Sequence, residues 1–218
     1  MADDPAARNP HPALEGRVIE VDIVSKRFGQ AEVLRDIGFA VGAGEVVALL
    51  GPSGIGKSTL LRIVAGIDTD FQGSVRRPDR LGMVFQEPLL LPWRTVAENL
   101  TLTHPDLGGD GTHAALARVG IADKGAAFPA QLSLGQQRRV ALSRAIAGKP
   151  QALILDEPFA SLDADMGAEM LALTARLIAE TRIPTVFVTH SEAEARILGT
   201  RILRLSGRPA TITGEEAA

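Results

Sequence analysis

The stretch GPSGIGKST at residues 51–59 constrains this chain more tightly than any other. It follows the unbroken apolar run EVVALL (45–50) and leads into the apolar helical stretch STLLRIVAG. An apolar run without alternation is what a strand shows when helices cover both of its faces. Glycines let the backbone wrap an anion so that several N–H groups converge on it at the start of a helix. The pattern G-x-x-x-x-G-K-[ST] carries that chemistry only between a strand and a helix, and both are predicted here. In this reading Gly51, Pro52, Ser53, Gly54, Ile55 and Gly56 form a phosphate cradle. Lys57 supplies a cation for the outer phosphates, the Ser58 hydroxyl is a Mg²⁺ ligand, and Thr59 completes the motif.

The flanking sequence fits an α/β fold. VIEVDIV (18–24) alternates like a half-buried strand, and VLRDIGFAV (33–41) reads as a second. Further strands are predicted at LGMVF (81–85), ALILD (152–156), PTVFVTH (184–190) and finally RILRL. From Gln86 to about Pro150 the pattern changes to helices, TVAENL, HAALARVG and QQRRVALSRAIAG, joined by Gly- and Pro-containing turns. Met166, Met170, Leu173 and Leu177 share one helical face, and SEAEARIL is a short helix. The expected fold is a P-loop core with a mainly parallel sheet, an N-terminal antiparallel β region and an inserted helical subdomain. The expected boundaries are a loose tail over 1–16, the core over 17–86 and 151–218, and the insert over 87–150.

Composition narrows the class. Against 23 Lys and Arg stand 26 Asp and Glu, a net charge of −3. That balance makes no electrostatic case for nucleic acid or an anionic membrane surface. The chain has no cysteine, hence no disulfide framework and no thiolate metal site. Its aliphatic runs are too short to span a bilayer, and MADDPAARNPHPALEG lacks the apolar segment of a secretory signal. A soluble, cytoplasmic protein is expected.

A second group of residues supplies what a phosphate loop lacks. Asp156 ends a buried strand in ALILDEP, where open α/β sheets bind ligands, and can hold the Mg²⁺ shell. Glu157 beside it is placed to polarise an attacking water as general base. His190 ends TVFVT and points toward the same crevice, and Gln86 sits at the hinge into the insert, within reach of Mg²⁺ or water. The run LSLGQQ (132–137) places Ser133 three residues before Gln136, a capping box that starts a helix, with Gly135 inside it. Its open N–H groups are a second anion site in the same chain.

These motifs, in this order and spacing, resemble the ATPase subunits of ATP-binding cassette (ABC) transporters. GPSGIGKST, Gln86, LSLGQQ, LILDEP, Ser161-Leu162-Asp163 and His190 are similar to that family's Walker A, Q-loop, signature, Walker B, D-loop and switch histidine. The resemblance covers residues 18–206. It implies MgATP hydrolysis by two copies paired head to tail, each ATP lying between one chain's Walker A and the other's Ser133, Gly135 and Gln136, with Asp163 nearby. The second anion site then serves the partner's nucleotide. Phe28 in KRFG matches the aromatic that stacks on adenine, with core packing as the other reading. Leu134 replaces the first glycine of the usual LSGGQ, which matters if that position needs a positive φ.

QEPLLLPWRTVAENL resembles importers of the nitrate, sulfonate and taurine type. That implies a subunit peripheral on the inner face of the membrane, working with a permease and, indirectly, a substrate-binding protein. The Leu89–Trp93 run either packs inside the insert or is an exposed patch for the permease. An export or lipid-extraction ATPase, or a nucleotide-gated clamp unrelated to transport, are the alternatives.

Overall fold

The computed structural model describes residues 16–218. Apart from Gly16, the tail expected over 1–16 lies outside the described residues. Strands β1 (Arg17–Phe28) and β2 (Ala31–Gly42) form an antiparallel pair, and β3 (Val46–Leu50) runs into helix α1 (Lys57–Val64). β4 (Gln72–Arg76) and β5 (Leu81–Val84) come next. Helices α2 (Val96–Thr101), α3 (Gly108–Arg118) and α4 (Leu134–Ala147) occupy the helical stretch. The chain closes with β6 (Ala152–Asp156), α5 (Ala164–Thr181), β7 (Thr185–Thr189), α6 (Glu192–Leu198), β8 (Arg201–Ser206) and β9 (Thr211–Ala217). Among the described residues no helix is long and apolar enough to cross a membrane.

Two sheets result. A six-stranded sheet has the order β5-β6-β7-β3-β8-β9, parallel except for β9 at its edge. A three-stranded antiparallel sheet has the order β2-β1-β4. Strands β3, β6 and β7 are buried at every position, which explains why their sequences show no alternation. Alternate residues of β3 instead serve two separate cores. Val46, Ala48 and Leu50 join the cluster that includes Val96, Leu100, Leu116 and Val140 of the helical stretch. Val47 and Leu49 join the opposite cluster with α1 and the antiparallel sheet.

The ends of the elements follow local chemistry. Gly66 closes α1 at φ +74°, donating to the Ile63 carbonyl while Ile67 donates to that of Arg62. That is the paired bonding of a Schellman C-terminus. Two strands escaped the sequence pattern. RILRL is not the last strand: β9 follows it, and its TITGEEA has no apolar stripe because it is an exposed edge paired on one side. β4 is equally polar, and Gly73 in it sits at φ +131°, where a Cβ would lie 2.1 Å from the Asp22 carbonyl oxygen of β1.

Candidate functional site

The loop from Gly51 to Gly56 joins β3 to α1, as the motif requires. Gly54 and Gly56 have φ of +76° and +111°, conformations that side chains rarely adopt. A Cβ at Gly56 would also lie 2.9 Å from Val33 Cγ1. Ile55 is buried and anchors the loop in the core, while Pro52, Ser53 and Gly54 stand exposed. Lys57 is 4% exposed and folds back over the loop, donating to the carbonyls of Gly51 (2.8 Å) and Pro52 (3.0 Å).

The ends of β6 and β7 face this loop. Ser58 Oγ donates to Asp156 Oδ1 at 2.9 Å. Burial pushes the Asp156 carboxyl above the usual carboxylate range. The Ser58 hydrogen bond pulls the other way, and the neighbouring Glu157 charge adds to the rise. A buried carboxylate in that position gains from a cation at its side. Among the described residues there is no cluster of three or more His, Asp or Glu side chains suited to a metal. One carboxylate and one hydroxyl are the sparse donor set that suits Mg²⁺ completed by phosphate oxygens and water.

Glu157 occupies a left-handed backbone position, φ +42°, and its N–H donates to the Val188 carbonyl of β7. Its carboxylate lies between the Lys57 ammonium and the His190 ring: Oε1 is 3.2 Å from Lys57 Nζ, and Oε2 is 3.6 Å from His190 Nδ1. Lys57, Ser58, Asp156, Glu157 and His190, distant in sequence, therefore meet at the carboxyl ends of three adjacent parallel strands. Thr59 is half-buried in the first turn of α1. Gln86 is exposed two residues beyond β5.

The LSLGQQ residues lie elsewhere. Ser133 is the N-cap of α4: its Oγ accepts from the Gln136 N–H at 3.2 Å, and Gln136 Oε1 accepts from the Ser133 N–H at 3.0 Å. These bonds close on each other, so the box is built without help from the phosphate loop. A Cβ at Gly135 would lie 3.1 Å from Met166 Sδ in the first turn of α5. Asp163 caps α5 by accepting from the Met166 N–H at 2.9 Å. Leu134 has no positive φ and is 40% exposed, so its backbone does not call for glycine.

Phe28 is 54% exposed and is not a core residue. Lys26 Nζ sits 4.6 Å from its ring centroid on the buried side, held by Asp68 Oδ1 at 2.9 Å and the Asp70 carbonyl at 2.5 Å. A supported ring with an open face can stack on a planar ligand. Sequence reasoning missed this support, because Lys26 and Asp68 are 42 residues apart. It also missed Asn99, Arg138 and Arg144. Of these, Arg138 donates to the Pro158 carbonyl at 2.7 Å and to that of Ala160, tying α4 to the segment just after Glu157. The Leu89–Trp93 run is divided: Leu89 is 53% and Trp93 69% exposed, while Leu90 packs against the core.

Known proteins resemble this chain in sequence and in fold. The chain is 42% identical over 207 residues to an aliphatic sulfonates import ATP-binding protein, SsuB, of Pseudomonas aeruginosa, covering 88% of this chain and 83% of that one. A protein of the same name from Burkholderia cenocepacia is 38% identical over 225 residues, covering 99% of this chain and 83% of the other. A solved dimeric ATP-binding cassette, described as a post-hydrolysis state bound to ADP and Pi, superposes with a TM-score of 0.80 at 29% identity. It covers 92% of this chain and 98% of its own. The family profile described as ABC transporter matches residues 34–160, from β2 through the phosphate loop and LSLGQQ to just past Glu157. The chain belongs to the ABC transporter family.

Proposed function

We propose that this chain is the ATP-hydrolysing subunit of an ABC importer, working as a head-to-tail pair to drive uptake of a small anionic solute of the aliphatic sulfonate class through a separate permease. The observation that carries the hydrolytic reading is the Glu157 carboxylate set between Lys57 and His190, at 3.2 and 3.6 Å. The import direction and the solute class rest on relatives named for aliphatic sulfonates import.

The geometry supports the following roles. Gly51 to Gly56 hold phosphates through backbone N–H groups, and Lys57 turns from the loop carbonyls toward them. Ser58 and Asp156 would hold Mg²⁺, which would supply neutralisation of phosphate charge, with Gln86 at the hinge as a further donor. Glu157 takes a proton from water, while His190 orients that carboxylate and the outer phosphate. Phe28, backed by Lys26, stacks on the base. Ser133, Gly135 and Gln136 face the nucleotide held by the partner copy, with Asp163 beside the junction. Residues 87–150 act as the subdomain that brings this second surface into place. The exposed Leu89 and Trp93 receive a permease segment, which places the subunit peripherally on the inner face of the membrane, with a substrate-binding protein upstream.

The test is reconstitution with the neighbouring permease in vesicles loaded with ATP. Uptake of an alkanesulfonate that stops with Glu157→Gln is the expected result. Sulfonate-independent export, or ATP turnover unaffected by Glu157→Gln, overturns the reading.

A further inference from the structure

The segment from Pro88 to Thr95 has no helix or strand across its first half, yet its carbonyls are pinned from below by two side chains of other elements. Asn99 of α2 is 2% exposed and spends its amide entirely on this loop. Its Oδ1 accepts from the Leu91 N–H at 2.8 Å, and its Nδ2 donates to the carbonyls of Leu91 (3.2 Å), Arg94 (3.2 Å) and Thr95 (2.9 Å). Arg144 of α4 holds the upstream end, donating to the carbonyls of Pro88 and Leu89, each at 3.0 Å. Leu89 sits at φ +45°, a conformation a leucine does not adopt without being held. In the same loop Leu90 packs against the core, whereas Leu89 and Trp93 are 53% and 69% exposed.

A loop that exposes leucine and tryptophan while burying an amide to fix its backbone is organised for contact rather than for packing. A partner that docks on a fixed loop does not bear the cost of ordering it. We infer that Asn99, with Arg144 as second anchor, is the positioning residue of the permease-docking loop and holds Leu89 and Trp93 in the bound arrangement before the permease arrives. This rests on the docking reading proposed above. It adds two residues that touch neither nucleotide nor permease.

The chain contains one tryptophan, Trp93, and no tyrosine, so its fluorescence reports this loop alone. Asn99→Asp has nearly the same shape and keeps the acceptor for Leu91 N–H, but turns an anionic oxygen toward three carbonyls. Arg144→Lys replaces a fork by a single ammonium that cannot span two carbonyls. Time-resolved anisotropy of the isolated subunit is expected to show a larger fast, local component in Asn99→Asp, and a smaller rise in Arg144→Lys. Association with the permease in detergent should weaken about tenfold in Asn99→Asp, the size expected for lost charge-free hydrogen bonds and preorganisation together. Retained MgATP binding reports that the fold has survived. If Asn99→Asp unfolds, Arg144→Lys carries the test, since Arg144 is half-exposed.

Unchanged anisotropy in the folded variants overturns the positioning role. So does a loosened loop with undiminished association, provided that Trp93→Ala weakens association. If Trp93→Ala leaves association intact, the docking reading itself fails, and the anisotropy result then stands apart from it.

Discussion

Lys57 Nζ lies 3.2 Å from Glu157 Oε1, so the cation of the phosphate loop and the carboxylate at the end of β6 are each other's counter-charge. A buried ammonium needs a negative partner. If Glu157 is the base proposed above, phosphate oxygens would compete with it for Lys57. Lys57 turning to them would leave the carboxylate free to accept a proton, which would link binding to the readiness of the base.

Glu157→Gln is therefore expected to keep MgATP binding, or tighten it by removing the competitor for Lys57. Hydrolysis should fall by about 10²–10⁴-fold. The ATP-bound pair should accumulate, visible by light scattering alongside phosphate release. Near-normal turnover would remove Glu157 from the role of base.

Sharing of the two anion sites between copies can be read from a mixture. Lys57→Ala disables one surface and Ser133→Arg blocks the other with bulk, so each homodimer has two defective sites. In the mixed dimer both lesions fall in one site and the other is intact. Nucleotide occupancy should recover to one site per mixed dimer, with some turnover. Flat baselines with mixed dimers confirmed by differential tags would mean that each site is built within one chain.

Leu134→Gly should change ATPase activity by no more than a few-fold, because Leu134 already has an ordinary backbone conformation at the first position of α4. Glycine there adds unfolded-state freedom, so a small loss of stability is expected, about 0.5 kcal/mol or less at a helix end, read as a slight fall in Tm. A large gain in turnover would show that the leucine side chain restrains pairing.

The support beneath Phe28 has a pH signature. Burial works against the charge on Lys26, but its hydrogen bond to Asp68 and the charges of Asp68 and Asp70 outweigh burial, and its pKa is raised. The Lys26 hydrogen bond lowers Asp68. A lowered carboxyl contributes stability that is complete above its unfolded value of about 3.9 and is lost as pH falls through the folded one. The raised amine contributes below about 10.4 and is lost as pH climbs beyond it. Wild type should thus exceed Asp68→Asn in Tm through the neutral range, with the gap closing below about pH 4. A gap constant down to pH 2 would remove the ion pair as its cause. Phe28→Ala should weaken ATP binding several-fold, the size of one aromatic stacking contact of about 1 kcal/mol.

Local chemistry determined much of this protein from its sequence alone. The phosphate loop, the capping box of Ser133 and Gln136, the glycine stop at Gly66 and the uninterrupted strands β3, β6 and β7 all rest on residues within a few positions of one another, so their spacing is enough to reveal them. Helix start, stop and turn signals placed α2, α3 and α4, and periodicity placed α5, for the same reason. Tertiary structure decided the rest. β4 and β9 form because a neighbouring strand offers hydrogen bonds to the backbone, a drive that leaves no mark on side-chain pattern. The exposure of Phe28 and Trp93 depends on what the fold places beneath them. The meeting of Glu157 with Lys57 and His190, of Lys26 with Asp68, and of Arg144 with the loop at Leu89 joins residues 33 to 100 positions apart. Coulomb attraction and hydrogen bonding act through space, and only the folded sheet brings those groups within their reach.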